Sequence, residues 1–143
     1  MKFKMDLQLF AMSAAAADAV LTANYGSGAY VQLHIGNPGA AGTANIAAKS
    51  AGNAPRKQAT YGAVSSHPSN TERRVLSSGA VSWAGTDIDA AQEITHISLW
   101  SAATGGDVHD IAALTTPKTT GSDGVTIDAG DLEIAIGVFA KPA

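Results

Sequence analysis

Histidines and aspartates are the side chains of this sequence that could serve in catalysis or metal binding. Four histidines are spread along the chain, at His34, His67, His96 and His109. No two of them stand at a metal-ligand spacing such as His-x-x-x-His. The densest cluster of possible ligands is the segment 107–110, where a β-strand would turn only Asp107 and His109 to the same side. This pattern predicts isolated histidines and a solvated strand end, with no catalytic residues.

Aspartates in the turns are candidates for a calcium site. They stand in the segment Asp87-Ile88-Asp89 and at Asp123, Asp128 and Asp131. Calcium requires about six to eight oxygen ligands, which several converging carboxylates usually supply. Aspartate is also a common turn residue, because its side chain accepts hydrogen bonds from the local backbone. We therefore predict that these aspartates form turns, and that the chain binds no metal and no cofactor.

The sequence has two basic pairs, Arg56-Lys57 and Arg73-Arg74. One interpretation is that these side chains are simply solvated. The other is that they contact acidic turns of a neighbouring copy, because a guanidinium group pairs well with carboxylates. The sequence alone leaves both interpretations open.

The two tryptophans receive different predictions. Trp83 is expected to lie in the core. Trp100 stands on the strand face opposite to Ile97 and Leu99, so we predict that it is an exposed anchor for a protein partner.

The composition argues against nucleic acid and membranes as partners. With 9 Lys and Arg against 12 Asp and Glu, the net charge is −3, which gives little attraction to a phosphate backbone. The absence of cysteine excludes disulfides and thiolate metal sites. No run of about 18 apolar residues exists that would span a bilayer. At 143 residues the chain suits one domain, which we place at residues 13–143 behind an extended arm at residues 1–12.

The arm has an almost perfect two-residue period. Its apolar residues alternate with Lys2, Lys4, Asp6 and Gln8, which is the pattern of a strand with one buried face. A secretory signal peptide is the alternative, but Asp6 and Gln8 interrupt the apolar run that such a signal needs. The strand could join its own sheet or add to a neighbouring subunit by β-augmentation. We predict that the arm binds a partner through its apolar side chains, Phe3, Met5, Leu7, Leu9 and Phe10.

One short helix follows the arm. Ser13 is a good N-cap residue, Asp18 lies near the positive end, and Asn24-Tyr25-Gly26 is a stop signal. The apolar face of this helix is predicted to consist of Ala17, Val20 and Leu21.

The rest of the sequence reads as short antiparallel strands. Residues 30–35 alternate with Val31, Leu33 and Ile35 inward, and the cleanest alternation runs from Leu132 to Val138. A hairpin across Gly105-Gly106 joins residues 94–99 to residues 111–114. Weaker strands are predicted at residues 56–63, 74–83 and 125–127, with loops at residues 43–55 and 65–70. These seven or eight strands indicate a mainly β fold, an antiparallel β-sandwich, whose core includes Ile97, Leu99, Ile134 and Ile136.

Four segments of the sequence carry a family resemblance. They are VQLHIGNPGAAGT at residues 31–43, THISLW with the following AATGG at residues 95–106, ALTTPKT at residues 113–119 and AGDL at residues 129–132. Together they resemble the small phage proteins usually labelled tail fibre proteins, over roughly residues 18 to 137. The resemblance implies a virion structural protein that performs no chemistry. The arm adds a second resemblance, because DLQLFA at residues 6–11 is similar to the NLQLFA opening of phage major capsid proteins.

The sequence therefore predicts a non-enzymatic structural protein of a tailed phage. We predict a capsid decoration (minor capsid) protein that is anchored to the head surface by its N-terminal arm. The alternative, which the larger resemblance supports, is a tail fibre or tail-tip protein. A carbohydrate-binding module is the alternative from a different class. The expected partners are the major capsid protein or other virion subunits, together with further copies of the chain in a homo-oligomer. The expected location is the virion, assembled in the host cytoplasm.

Overall fold

The fold is taken from a computed structural model that describes residues 12–69 and 71–138. The predicted arm lies outside the described residues, apart from Met12. The same is true of the partner-binding residues predicted in it, Phe3, Met5, Leu7, Leu9 and Phe10.

Strands dominate the described part of the chain, as the sequence predicts. The elements in order are α1 (Ala14–Tyr25), β1 (Ala29–His34), β2 (Ala48–Lys49), β3 (Gly52–Asn53), β4 (Lys57–Ala59), β5 (Ser65–Ser66), β6 (Glu72–Leu76), β7 (Val81–Ala84), β8 (Glu93–Trp100), β9 (Val108–Thr119), β10 (Gly124–Ile127) and β11 (Glu133–Gly137). Eleven described strands exceed the predicted seven or eight. Three of the extra strands, β2, β3 and β5, are two-residue pairings inside the predicted loops, too short to show a period.

The main sheet has four antiparallel strands in the order β4-β1-β8-β9. Val31 lies opposite Leu99 and Leu33 opposite Ile97, so the odd-numbered residues of β1 and β8 share one face. The small sheets β11-β6-β5 and β10-β7 supply further residues to the same core, among them Val75 and Ile127. This arrangement is sandwich-like, which confirms the predicted fold class.

Helix α1 packs against β6 and β11 through one stripe of side chains. Ser13 caps it as predicted, because its Oγ accepts a hydrogen bond from the Ala16 amide at 3.2 Å. Ala17, Leu21 and Tyr25 are buried, and their spacing of four residues places them on one side. The prediction that Val20 belongs to this face is wrong, since Val20 is 39% exposed.

The β8–β9 hairpin is confirmed, and it contains a large bulge. Ile94 pairs with Lys118 and His96 with Ala113, so one residue of β8, Thr95, lies opposite residues 114–117 of β9. Pro117 is tolerated there because a bulge on a sheet edge requires no ladder hydrogen bond from it. This bulge is the ALTTPKT segment of the family resemblance.

Two strand predictions need correction. Residues 74–83 form two strands in different sheets, β6 and β7, because the turn-forming residues Ser77, Ser78 and Gly79 separate them. Ile35 was predicted to face inward and is 48% exposed. Strand β1 ends at His34, where the Ile35 amide donates its hydrogen bond to the Asn45 carbonyl at 2.8 Å instead of to the sheet.

Candidate functional site

The centre of the main sheet is buried on both faces. The even-numbered residues of β1 and β8, which a one-sided sheet would leave in water, include Gln32, His34, Ser98 and Trp100, and all four are buried. Gln32 pairs with Ser98 across the two strands, and His34 pairs with His96. The segment after β1 covers this second face, since Gln32 Nε2 donates to the Ala54 carbonyl at 2.8 Å. Four polar or amphipathic side chains are thereby taken out of water.

A hydrogen-bond chain connects three of these residues. His34 Nδ1 lies 2.8 Å from the Ala44 carbonyl, which only accepts, so Nδ1 carries the ring proton. His34 Nε2, at 2.7 Å from Ser98 Oγ, then accepts the hydroxyl proton. Ser98 Oγ in turn accepts from the Trp100 indole Nε1 at 2.8 Å. Every polar side-chain atom in this hydrogen-bond chain has a partner, which is the condition under which burial of polar groups is tolerated.

Burial lowers the pKa of His34 below its ordinary value of 6.5, with a smaller opposing effect from the Ala44 hydrogen bond and smaller lowering effects from His96 and Arg56. The ring is therefore neutral near pH 7, as the hydrogen-bond chain requires.

A serine hydroxyl bonded to a histidine ring is the arrangement that activates a nucleophile in many hydrolases. Here the pair cannot act in that way. His34 and Ser98 are both 0% exposed, so a substrate has no access to Ser98 Oγ. Ser98 Oγ also accepts a hydrogen bond from Trp100 Nε1, which lowers the electron density on the oxygen. The pair therefore serves as a structural link between β1 and β8.

The predicted exposure of Trp100 is wrong, since this residue is only 6% exposed. The Arg56 guanidinium lies 3.6 Å above the centre of its ring, a cation–π contact. Gly42 covers another part of the indole ring, and its backbone has a positive φ of 68°. A Cβ added at this position would lie 3.0 Å from Trp100 Cζ2. The strand pattern placed Trp100 correctly on the face opposite Ile97, but that face is covered by residues far away in sequence.

Both basic pairs are engaged within the chain. Arg56 donates to the Ala102 and Gly105 carbonyls at 3.0 and 2.7 Å, and so fixes the turn of the β8–β9 hairpin. Arg73 binds both carboxylate oxygens of Asp18 at 2.6 and 2.9 Å. This hydrogen bonding lowers the pKa of the Asp18 carboxyl. Simple solvation therefore does not describe these two arginines, and contact with the acidic turns of a neighbouring copy stays a hypothesis.

The second members of the pairs also have intramolecular partners. Lys57 Nζ lies 2.8 Å from an Asp87 carboxylate oxygen, and this contact lowers the pKa of Asp87. Arg74 pairs with Glu133 at 3.2 Å. Such partly exposed ion pairs add little stability individually.

Metal binding finds no support in the arrangement of the acidic residues and histidines. Across residues 12–69 and 71–138, no three His, Asp or Glu side chains are grouped closely enough to hold an ion. His109 packs edge-on against Tyr25, with ring centres 5.9 Å apart.

Within residues 12–69 and 71–138, no helix has the length and apolarity of a membrane-crossing helix.

An apolar groove of about 460 Å³ opens between β9 and β11. Its apolar lining includes Ile97, Leu99, Leu114, Ile127, Leu132 and Ile134. Ile97 and Leu99 are buried, as predicted, whereas Ile134 and Ile136 are only half-buried. We call this feature the β9–β11 groove. No local sequence pattern predicts this groove, because its two walls come from strands in different sheets.

The segments that carry the family resemblance meet in space. Residues 31–43 contribute His34 and Gly42, and residues 95–106 contribute Ser98 and Trp100, so the first two segments build the buried network together. The third segment is the bulge of β9, and the fourth ends at the buried Leu132. The resemblance is thus carried by residues with structural roles.

Comparison with known proteins gives one family match. The family model described as Podophage GP4 fiber I protein gp80 matches residues 11–135. This range contains α1, the buried network, the β9 bulge and the start of β11. Residues 1–10 precede it. No curated protein matches the chain.

Proposed function

Because this chain belongs to the phage fibre family described as Podophage GP4 fiber I protein gp80, we propose that it is a non-enzymatic structural subunit of a tail fibre on a tailed-phage particle. The match over residues 11–135 is the observation that carries this proposal. Membership in a fibre family makes the chain a virion component that associates with other virion components. Its position at the tail is the finer statement that we propose.

The use of the chemically capable side chains supports a structural role. His34 and Ser98 are sealed in the sheet, and Arg56 and Arg73 fix the hairpin turn and the helix. A fully satisfied buried polar network specifies one packing of the strands around it. The resulting rigidity suits a subunit of a fibre.

The predicted capsid decoration role rests on the DLQLFA segment at residues 6–11, which lies almost entirely outside the family match. The match therefore supports the tail fibre alternative better than the head decoration. A carbohydrate-binding module usually presents exposed aromatic side chains, but the two tryptophans of this chain, Trp83 and Trp100, are both buried. We do not propose it.

Labelling of intact particles tests the proposed position. Antibodies against the purified chain are applied to phage particles, and bound antibodies are located by electron microscopy. The expected result is label on the tail or its fibres, and antibodies absorbed with the purified chain serve as the control. Label spread over the faces of the head would contradict the tail fibre proposal and favour the decoration role.

A further inference from the structure

The β9–β11 groove is bordered by backbone as well as by side chains. Residues 110–116 and 131–134 line it consecutively, so β9 and the start of β11 run along its two sides. Both strands are the last in their sheets within the described part of the chain. Sheet edges of this kind offer unpaired backbone groups to an incoming strand. The groove thus combines an apolar floor with the backbone donors and acceptors that β-augmentation uses.

The charges around the groove favour a basic occupant. Its charged lining residues are Asp110, Asp131 and Glu133 against Lys118. Glu133 is partly neutralised by Arg74, but Asp110 and Asp131 form no ion pair within the described residues. The arm at residues 1–10 alternates apolar side chains with Lys2 and Lys4 and has one acidic residue, Asp6. Its charge and its apolar row both complement the groove.

The start of the described chain argues against the arm filling the groove of its own domain. Met12 forms a parallel bridge with Val138, directly after β11. If the residues before Met12 continued this parallel pairing, Leu9 would lie opposite Ala135 and Leu7 opposite Glu133. Those two residues of β11 are exposed, whereas Ile134 and Ile136 face the core. Because side chains alternate strictly along a strand, an arm continuing in this register would turn its apolar row away from its own core.

We propose that the β9–β11 groove receives residues 3–9 of a second copy of this chain, with Phe3, Met5, Leu7 and Leu9 facing the groove. An arm from another copy is free to choose the register that buries this row. Each copy then gives one arm and receives one, which joins subunits without a separate interface. This inference concerns the contact between copies and holds whether the particle carries them on its tail or its head.

Disulfide trapping between two single-cysteine variants of the full chain tests the proposal, since the natural chain contains no cysteine. One variant carries Leu7→Cys, and the other carries Ala112→Cys. Ala112 lines the groove and lies opposite Ile97, which places it on the groove face of β9, and it is exposed, so the substitution removes no core packing. Because each chain has one cysteine, a disulfide between position 7 and position 112 can only join two copies. A disulfide forms readily only where the two Cβ atoms approach within about 4.5 Å.

The expected result is a mixed dimer that forms under mild oxidation and is several-fold more abundant than either single-variant dimer. Gln8→Cys is the matched control in the arm, because it stands on the opposite side of the strand, and it should form several-fold less mixed dimer with Ala112→Cys. Ala84→Cys, an exposed alanine of β7 outside the groove, is the control on the domain.

A third variant carries both Leu7→Cys and Ala112→Cys on one chain. It distinguishes an arm from a second copy in the groove from an arm of the same chain. Intermolecular products support the proposal. A purely intramolecular disulfide would show that the arm folds back on its own domain, and equal trapping by positions 7 and 8 would show that the groove does not recognise the apolar row. Either of these results overturns the proposal.

Discussion

Replacement of Ser98 by alanine tests whether the buried hydrogen-bond chain holds β1 and β8 together. The substitution leaves His34 Nε2 without its donor and Trp100 Nε1 without its acceptor. Each buried polar group left unsatisfied costs about 1–3 kcal/mol. We therefore expect Ser98→Ala to lower the free energy of unfolding by about 2–6 kcal/mol, which is a large part of the roughly 5–15 kcal/mol typical of a domain.

Urea unfolding followed by tryptophan fluorescence measures this loss, with the midpoint as readout at an unchanged m-value. Ser82→Ala is the matched control, because Ser82 is an exposed strand serine whose hydroxyl also makes one side-chain hydrogen bond, to Thr126 at 2.9 Å. That control should stay within about 0.5 kcal/mol of the natural chain.

A double-mutant cycle with Trp100→Phe isolates the coupling. The phenylalanine ring has no donor, so Ser98→Ala should cost less in that background by about 1–3 kcal/mol. If Ser98→Ala proves as mild as Ser82→Ala, or if the two changes are strictly additive, the hydrogen-bond chain does not stabilise the sheet and the reasoning fails.

Three further predictions concern pH, the hairpin turn and the core. Burial lowers the pKa of His34, so that on acidification the unfolded chain is protonated at a higher pH than the folded chain. The free energy of unfolding should therefore fall as the pH drops below about 6.5, by up to about 1.4 kcal/mol per pH unit. Urea midpoints measured at several pH values should depend less on pH for His34→Gln than for the natural chain. Arg56→Lys keeps the charge but loses the planar contact with Trp100, so we expect a loss of about 1–2 kcal/mol and a red-shifted tryptophan emission; unchanged emission would contradict the contact. Ile97→Ala should cost about 2–5 kcal/mol, half-buried Ile134→Ala less, and exposed Glu133→Ala the least in denaturant melts; the reverse order would mean that the register is wrong.

Signals within a few residues of each other predicted the fold well. Ser13 as helix cap, the Gly105-Gly106 turn and the alternation of Val31 and Leu33 each depend on local backbone geometry, and each is present in the structure. The division of residues 74–83 into two strands was missed, because both halves are strand-like and only the rest of the fold assigns them to different sheets.

The buried network was beyond a local reading of the sequence. His34 and Ser98 are 64 residues apart, and their burial depends on an irregular segment after β1 that has no period to recognise. One signal was present: β1 has polar residues at the even positions Gln32 and His34, and β8 has them at His96 and Ser98, and these four become neighbours once the two strands pair. The same long-range covering explains why Trp100 was predicted to be exposed, since Arg56 and Gly42 reach it only in the folded chain.

The bulge in β9 also bears on solubility. A long, straight edge strand invites the same strand of another copy to pair along its whole length, and such pairing propagates into insoluble aggregates. Four residues of β9 lie opposite Thr95. Because a bulge bends its strand, we expect it to divide the free edge of β9 into two unequal parts. Only a short guest segment can align with either part. We therefore expect that copies which accumulate before assembly do not pair with one another along the whole edge of β9.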